Sequence, residues 1–363
     1  MKRSYLAPIT AIAAAAVLTL SACGEAPEES SGGDATEAAA EFKGCIVSDA
    51  GGWDDQSFNQ STYEGLQRAV DELGIEHAEA QSQSDADFAP NVDSMVQQGC
   101  NLTIGAGFLL EDALQTAAEN NPDANFAVVD SMFTDADGNP VEIENAKPIV
   151  FNTAEAAYLA GYLAAGMSES GTVATFGGMQ IPSVSIFMDG FSDGVDKYNE
   201  DKGEEVELLG WDKEAQDGSF SGDFDNQGQG QTLTEQFISQ GADVIMPVAG
   251  PVGLGAAAAV SEADNVKLIW VDSDGYESTE YGEYILTSVT KQIANAVYDT
   301  LEQAQSGQFS SESYVGTLEN EGVGLAPYHD FEDQVPDELK TEIDTLREQI
   351  ISGEITVDTP NAP

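Results

Sequence analysis

The feature that most constrains this chain is an alternation of short apolar runs with amphipathic stripes, repeated almost from end to end. Cys45-Ile46-Val47 is a strand-length run, and Tyr63, Leu66, Val70 and Leu73 follow at helical spacing. Phe88, Val92, Met95 and Val96 mark the next helix, and 102–105 the next strand. Leu110, Ala113, Leu114 and Ala117 mark a third helix, before a strand at 126–129 that ends at Asp130. Units of this kind join parallel strands by right-handed crossovers, so the spacing predicts an α/β fold with a doubly wound parallel sheet. A turn-rich segment, 134–148, and a strand over 148–151 come next, then a helix over 154–167 capped by Thr153. The Ala and Gly content of that helix predicts close packing on another element. A second series follows, with strands near 172–176, 206–210, 243–248, 267–271 and 284–288. Its helices are expected near 184–198, 232–239, 254–263 and 292–304, with a β pattern over 314–324 and a last helix near 336–352. Two successive α/β series in 363 residues predict two lobes with a cleft between them.

Open α/β sheets bind ligands at the carboxyl ends of their strands. The loop after the first strand, Ser48 to Asn59, places a carboxylate (Asp49), a ring (Phe58) and an amide (Asn59) close together. Ser57 is positioned to cap the helix that begins at Phe58, and Gly74 to end it. A ring that stacks, an acid that accepts from N–H donors and an amide that does both suit a flat heterocycle. The same residues also fit a tight turn with Phe58 in the core.

The amino terminus reads as a targeting segment. Lys2 and Arg3 precede an apolar run from Leu6 to Leu20, which ends in Leu20-Ser21-Ala22-Cys23-Gly24. That run is short for a membrane span and has the shape of a signal peptide over residues 1–22. The small residues before Cys23 resemble a bacterial lipobox, in which this Cys carries the lipid; ordinary cleavage near Ala22 is the other reading. Residues 23–41 are small and acidic, as expected of a flexible tether. The expected location is the extracytoplasmic face of the cell membrane, by lipid anchor. Cys45 and Cys100 would then sit in an oxidising compartment. In a 2-1-3-4-5 sheet their strands are neighbours and a disulfide is feasible; two buried thiols are the alternative.

Charge narrows the partners. Twelve Lys and Arg stand against 65 Asp and Glu, a formal charge of −53, which excludes nucleic acid. The three arginines, Arg3, Arg68 and Arg347, fall on no strand-end loop. Lys291 is the one lysine at a plausible cleft position. A phosphate or carboxylate ligand would call for more cations, so a neutral, hydroxyl-rich ligand fits better. Gly250-Pro251-Val252-Gly253-Leu254-Gly255 follows a strand but has neither dinucleotide-binding spacing nor a Walker lysine. Asp135 to Pro140 resembles the start of a calcium loop but carries Pro where Gly is needed. The two histidines, His77 and His329, support neither a metal cluster nor a catalytic triad.

The run from Asp49 to Ser61, with Glu64-Gly65 next, resembles the signature of the BMP family of ABC-transporter substrate-binding lipoproteins. Further segments agree: Gly107-Phe108-Leu109-Leu110, 153–161, Phe176-Gly177-Gly178-Met179, Gly190-Phe191, 248–255, Val271-Asp272-Ser273-Asp274, 287–291 and 322–326. The resemblance covers about residues 42–357. It implies a periplasmic-binding-protein type I fold whose lobes are joined by three crossovers and close on a nucleoside, purine in class. The expected lobes are 42–150 plus about 273–312, and 151–272 plus about 313–357. Carried over by position, Asp49 and Asn59 would bond the base edge, Phe58 would stack on it, and Asp130 would line the same side. Phe220 or Phe224 would cover the other ring face, and the sequence leaves that choice open. Asp272 would take the ribose hydroxyls with support from Lys291, and Gly250 would let backbone approach the sugar. The implied partners are a nucleoside and membrane permease subunits, with no cofactor and no enzymatic step. The alternatives are the same fold binding a sugar or other polyol, a surface antigen without transport role, or a secreted nucleoside hydrolase.

Overall fold

The computed structural model describes residues 42–363; the signal segment, Cys23 and the tether lie outside the described residues. The first series gives β1 Lys43–Ser48, α1 Phe58–Leu73, β2 Glu76–Gln81, α2 Asp85–Gln97, β3 Leu102–Ala106, α3 Glu111–Asn120, β4 Asn125–Val129 and β5 Ala146–Phe151. These strands pair in parallel in the order 2-1-3-4-5. β1 and β3 are apolar and buried because helices cover both faces of the sheet, while the edge strand β2 is polar and largely exposed.

The chain then crosses to a second lobe: α4 Thr153–Met167, β6 Thr172–Gly177, α5 Pro182–Lys202, β7 Glu207–Leu209, a small hairpin of β8 Trp211–Asp212 and β9 Asp217–Gly218, and α6 Gln227–Ser239. It continues with β10 Val244–Val248, α7 Val252–Ser261, β11 Lys267–Asp272, α8 Gly275–Ser278 and β12 Ile285–Lys291. The small-residue helix α4 lies backbone to backbone on α5. A Cβ at Gly161 would stand 2.1 Å from the Phe191 carbonyl, and one at Gly194 2.0 Å from that of Tyr158. The expected Thr153 cap is instead the first helical residue, with Asn152 at the cap position.

After Lys291 the chain returns to the first lobe as α9 Ile293–Gln305, which packs on α1, and β13 Tyr314–Gly316, which pairs with β5. It crosses a last time to β14 Val323–Leu325, antiparallel to β12, and α10 Asp337–Ile351 closes against α4. The second sheet therefore runs β7-β6-β10-β11-β12-β14. This pairing revises the lobe boundaries. Residues 273–291, expected in the first lobe, belong to the second, because β12 pairs with β11 along their length. Residues 313–316, expected in the second, belong to the first through β13.

Cys45 on β1 and Cys100 just ahead of β3 are joined by a disulfide, with Cα atoms 6.0 Å apart and a sequence separation of 55. A loop of that length, left open in the unfolded chain, adds about 4 kcal/mol of conformational freedom in the chain-entropy model. The double variant Cys45→Ala, Cys100→Ala should lose stability on that order, read as a lower urea midpoint with a slope equal to or steeper than that of the unsubstituted protein, because the freed unfolded chain exposes more surface. A midpoint equal to that of the unsubstituted protein would show that the bridge does not stabilise the first lobe.

Candidate ligand-binding site

The site is assembled where the strands of both sheets end. At the end of β1, the Asp49 amide donates to the Ala106 carbonyl at 3.1 Å, which fixes the turn beside β3. Gly107 follows β3 with φ +111°, and a Cβ there would fall 1.8 Å from Asp49 Oδ2. Glycine at this position is what gives the Asp49 carboxyl its space.

The start of α1 departs from the expected Ser57 cap. Asp55 takes the free helix N–H groups: Oδ1 accepts from Ser57 at 3.0 Å and Gln60 at 2.9 Å, and Oδ2 from Asn59 at 2.8 Å. A carboxylate can accept from all three and also answers the positive helix end, which a hydroxyl cannot match. Burial pushes the Asp55 carboxyl up to about 6, against the pull of those N–H groups. Ser57 is released to the other lobe, where its Oγ donates to Asp272 Oδ2 at 2.8 Å. Asn59, next in α1, donates from Nδ2 to the Ala50 carbonyl at 2.7 Å and to Asp49 Oδ1 at 3.4 Å. Its Oδ1 is buried without a partner. Burial holds the Asp49 carboxyl well above the usual carboxylate range; the Asn59 amide opposes this, and Asp55, Asp130 and Asp225 add to it.

Across the cleft, Lys291 ends β12 and is buried. Its Nζ bonds Asp130 of the first lobe, and lies 3.2 Å from Asp272 Oδ1 of its own. Burial alone would weaken the ammonium's hold on its proton; the two carboxylates reverse that and hold it above the usual lysine range. Rings of Phe187, Phe58 and Phe151 stand 4.8, 5.3 and 6.0 Å from Nζ. Asp130 and Asp272 both adopt left-handed backbone, φ +61° and +70°, at the ends of β4 and β11. These strands occupy the same place in their respective sheets.

Between the lobes lies a cleft. Of the residues expected from sequence, Asp49, Phe58, Asn59, Asp130, Phe224, Gly250, Asp272 and Lys291 all line it. Phe220 does not: it pairs with the edge of Gly177 and stands edge-on to Trp211, centroids 6.0 Å apart. Four residues later the chain turns over Gly178, whose added Cβ would meet the Phe224 ring at 2.4 Å, and Phe224 reaches the cleft. Gly250 has φ +51°, and a Cβ there would meet nothing within 4 Å, so it faces open cleft space. Phe108, Ser183, Val184 and Phe187 also line the cleft, and the sequence had given none of them a role in binding. The last three share one face of α5, whose apolar run over 184–191 reads as ordinary core.

A family model described as ABC transporter substrate-binding protein PnrA-like matches residues 42–360. The chain belongs to this Bmp family. It is 31% identical to a Lactococcus lactis subsp. cremoris protein named ABC transporter nucleoside-binding protein BmpA, over 98% of this chain and 99% of that one. It is 27% identical to Basic membrane protein A1 of Borrelia garinii, over 85% of this chain and 86% of the relative. Among solved structures, an ABC transporter solute-binding protein from Aeropyrum pernix K1 superposes with a TM-score of 0.79 at 26% identity, covering 88% of this chain and 94% of that one. As a Bmp-family member the chain is an ABC transporter substrate-binding protein with the two-lobed periplasmic-binding-protein architecture.

The buried triad gives this family member a specific vulnerability. Lys291→Met removes the cation and leaves Asp130 and Asp272 buried with like charges facing each other. Breaking a buried ion pair in this way costs about 3–5 kcal/mol. Urea unfolding of Lys291→Met should show a loss of that order. A loss below about 1 kcal/mol, the scale of a solvent-exposed pair, would mean the triad is hydrated and structurally minor.

Proposed function

We propose that this protein captures a nucleoside, purine in class, outside the cytoplasmic membrane and presents it to the permease of an ABC importer. The observation that carries this reading is the composition of the cleft. Each lobe contributes an aromatic ring to it, Phe58 from the first and Phe224 from the second. Beside Phe58 lie a carboxyl and an amide with unused hydrogen-bonding capacity, Asp49 and Asn59. Opposite lies the carboxylate of Asp272, oriented by Lys291 and Ser57. A heterocycle between two rings, with its edge on Asp49 and Asn59 and its sugar hydroxyls on Asp272, uses each of these groups. Asp130 holds Lys291 in place, and Gly250 leaves room for the sugar against backbone. The one lysine on the cleft is already committed to two carboxylates, which disfavours a phosphate. The Lactococcus relative's name agrees with this ligand class.

Closure works by population shift: the ligand makes contacts with both lobes only when they are together, so it favours the closed form by that difference in affinity. Lipidation at Cys23 and the 23–41 tether would hold the protein at the membrane, consistent with relatives from Pyrococcus named as lipoproteins.

Calorimetry of the purified protein with guanosine, adenosine and inosine should give tight, saturable binding. Absence of heat with every nucleoside would reject this function. Phe58→Ala and Phe224→Ala should each weaken binding by roughly 1–3 kcal/mol, the range for a ring stacked on a base. Phe220→Ala should leave affinity near that of the unsubstituted protein, since its ring packs on Trp211 away from the cleft. A larger effect from Phe220 than from Phe224 would reverse the assignment of the second ring.

A further inference from the structure

We propose that Asp49 chooses the base through its own charge: ionised, it accepts from the N1–H and 2-amino groups of guanine; protonated, it pairs with the N1 acceptor and 6-amino group of adenine. The proposal rests on the nucleoside reading above and adds which purine is taken and when.

The wall of the cleft leaves hydrogen-bonding groups unused. Asn59 is oriented by its 2.7 Å bond to the Ala50 carbonyl, which must face Nδ2, so Oδ1 is presented as an acceptor. Asn59 is only 2% exposed, and this oxygen has no partner. A buried, unsatisfied acceptor is costly, and an amino hydrogen from a ligand would relieve it. Beside it, the 3.4 Å contact from Asn59 is the one hydrogen bond to the Asp49 carboxyl among the described residues. Oδ2 faces the Gly107 backbone at a distance that leaves no room for a Cβ.

The charged groups around Asp49 do not fix its proton. Asp55 faces it from its own loop, Asp130 from the end of β4, and Asp225 from the second lobe. All three are acids. The cation in the cleft, Lys291, is bound to Asp130 and Asp272. Burial and these neighbours raise the Asp49 carboxyl well above its ordinary value. A raised carboxyl lowers the cost of binding a ligand to its protonated form, and the single amide contact leaves the ionised form free to accept from ligand donors. A carboxylate offers acceptors only, matching two adjacent donors; a carboxylic acid offers a donor beside an acceptor, matching an acceptor beside a donor. Guanine and adenine present those two opposite patterns on the same edge.

The linkage then has opposite signs for the two ligands. Guanosine uses the ionised form, so its affinity rises with pH until Asp49 is ionised in the free protein, and below that point binding releases a proton. Adenosine uses the protonated form, so its affinity falls as pH rises past the same point, and there binding takes up a proton. The ratio of guanosine to adenosine affinity should climb with pH by up to about tenfold per unit.

The test measures both nucleosides on the full protein by calorimetry from about pH 5 to about pH 9, in two buffers of different ionisation enthalpy to count protons. A rising ratio with proton release for guanosine and uptake for adenosine is the expected result. A constant ratio, or proton exchange of the same sign for both, overturns the proposal while leaving the nucleoside reading intact. No binding of either at any pH rejects both. Asp49→Asn places a fixed donor and acceptor at this position and should flatten the ratio in favour of adenosine; a ratio that still climbs would assign the switch to another group. The unsubstituted protein's profile decides the matter even if this variant folds poorly.

Discussion

One ammonium group links the two lobes across the cleft. Lys291 is covalently part of the second lobe, yet its Nζ bonds Asp130 of the first as well as Asp272 of its own. A buried ammonium forfeits several kcal/mol of hydration, and only well-placed carboxylates compensate for that. Ser57 extends the arrangement by donating from the first lobe to Asp272. If the lobes part, Lys291 and Asp130 lose each other but regain water. Attraction and hydration largely offset, so the triad sets the register of closure more than its strength. That leaves a bound molecule able to decide the equilibrium, as a receptor that must later release its cargo requires.

The two lobes reach this geometry by similar means. Asp130 and Asp272 end equivalent strands in left-handed backbone, which turns both carboxylates toward one cation. Gly107 and Gly250 follow the strands next to these, β3 and β10, and both also have positive φ. Asp tolerates that conformation better than most residues with a side chain, and Gly tolerates it freely. The loops at the sheet ends are thus built from the few residue types that can bend there. Their uses differ: one glycine makes way for Asp49, the other for open cleft space.

Much of this was legible in the sequence, because strand-end loops follow directly from alternation of apolar runs and helical stripes. Asp49, Phe58 and Asn59 line the cavity for that reason, while Asp130, Phe224, Gly250, Asp272 and Lys291, which line it too, were placed by the family resemblance. Phe220 and Phe224 sit four residues apart in a loop without periodicity, so nothing local said which would reach the cleft. The lobe boundaries failed where the chain changes sheets. β12 reads as any strand, and only its pairing with β11 places it in the second lobe. The β pattern over 314–324 reads as one unit but divides into three-residue strands, β13 and β14, in different sheets. Ser57 and Asp55 are both good caps by type; three N–H groups within reach of a single carboxylate settle the choice in three dimensions.

The acids around the cleft are not equivalent, and their differences follow from what each is bonded to. Asp55 is held by the N–H groups of α1. Asp130 and Asp272 are held by Lys291. Asp49 has a single long contact from an amide. The chain as a whole carries a formal charge of −53, but at physiological salt exposed charges are screened within about 8 Å. The charge state of Asp49 is therefore set locally, by burial and its three acidic neighbours, and not by the protein's overall field. A carboxyl that the fold leaves without a committed partner is one whose partner must come from solution. Under the proposed nucleoside reading, Asp49, more than the better-bonded Asp272, is the position at which the identity of the ligand would be read.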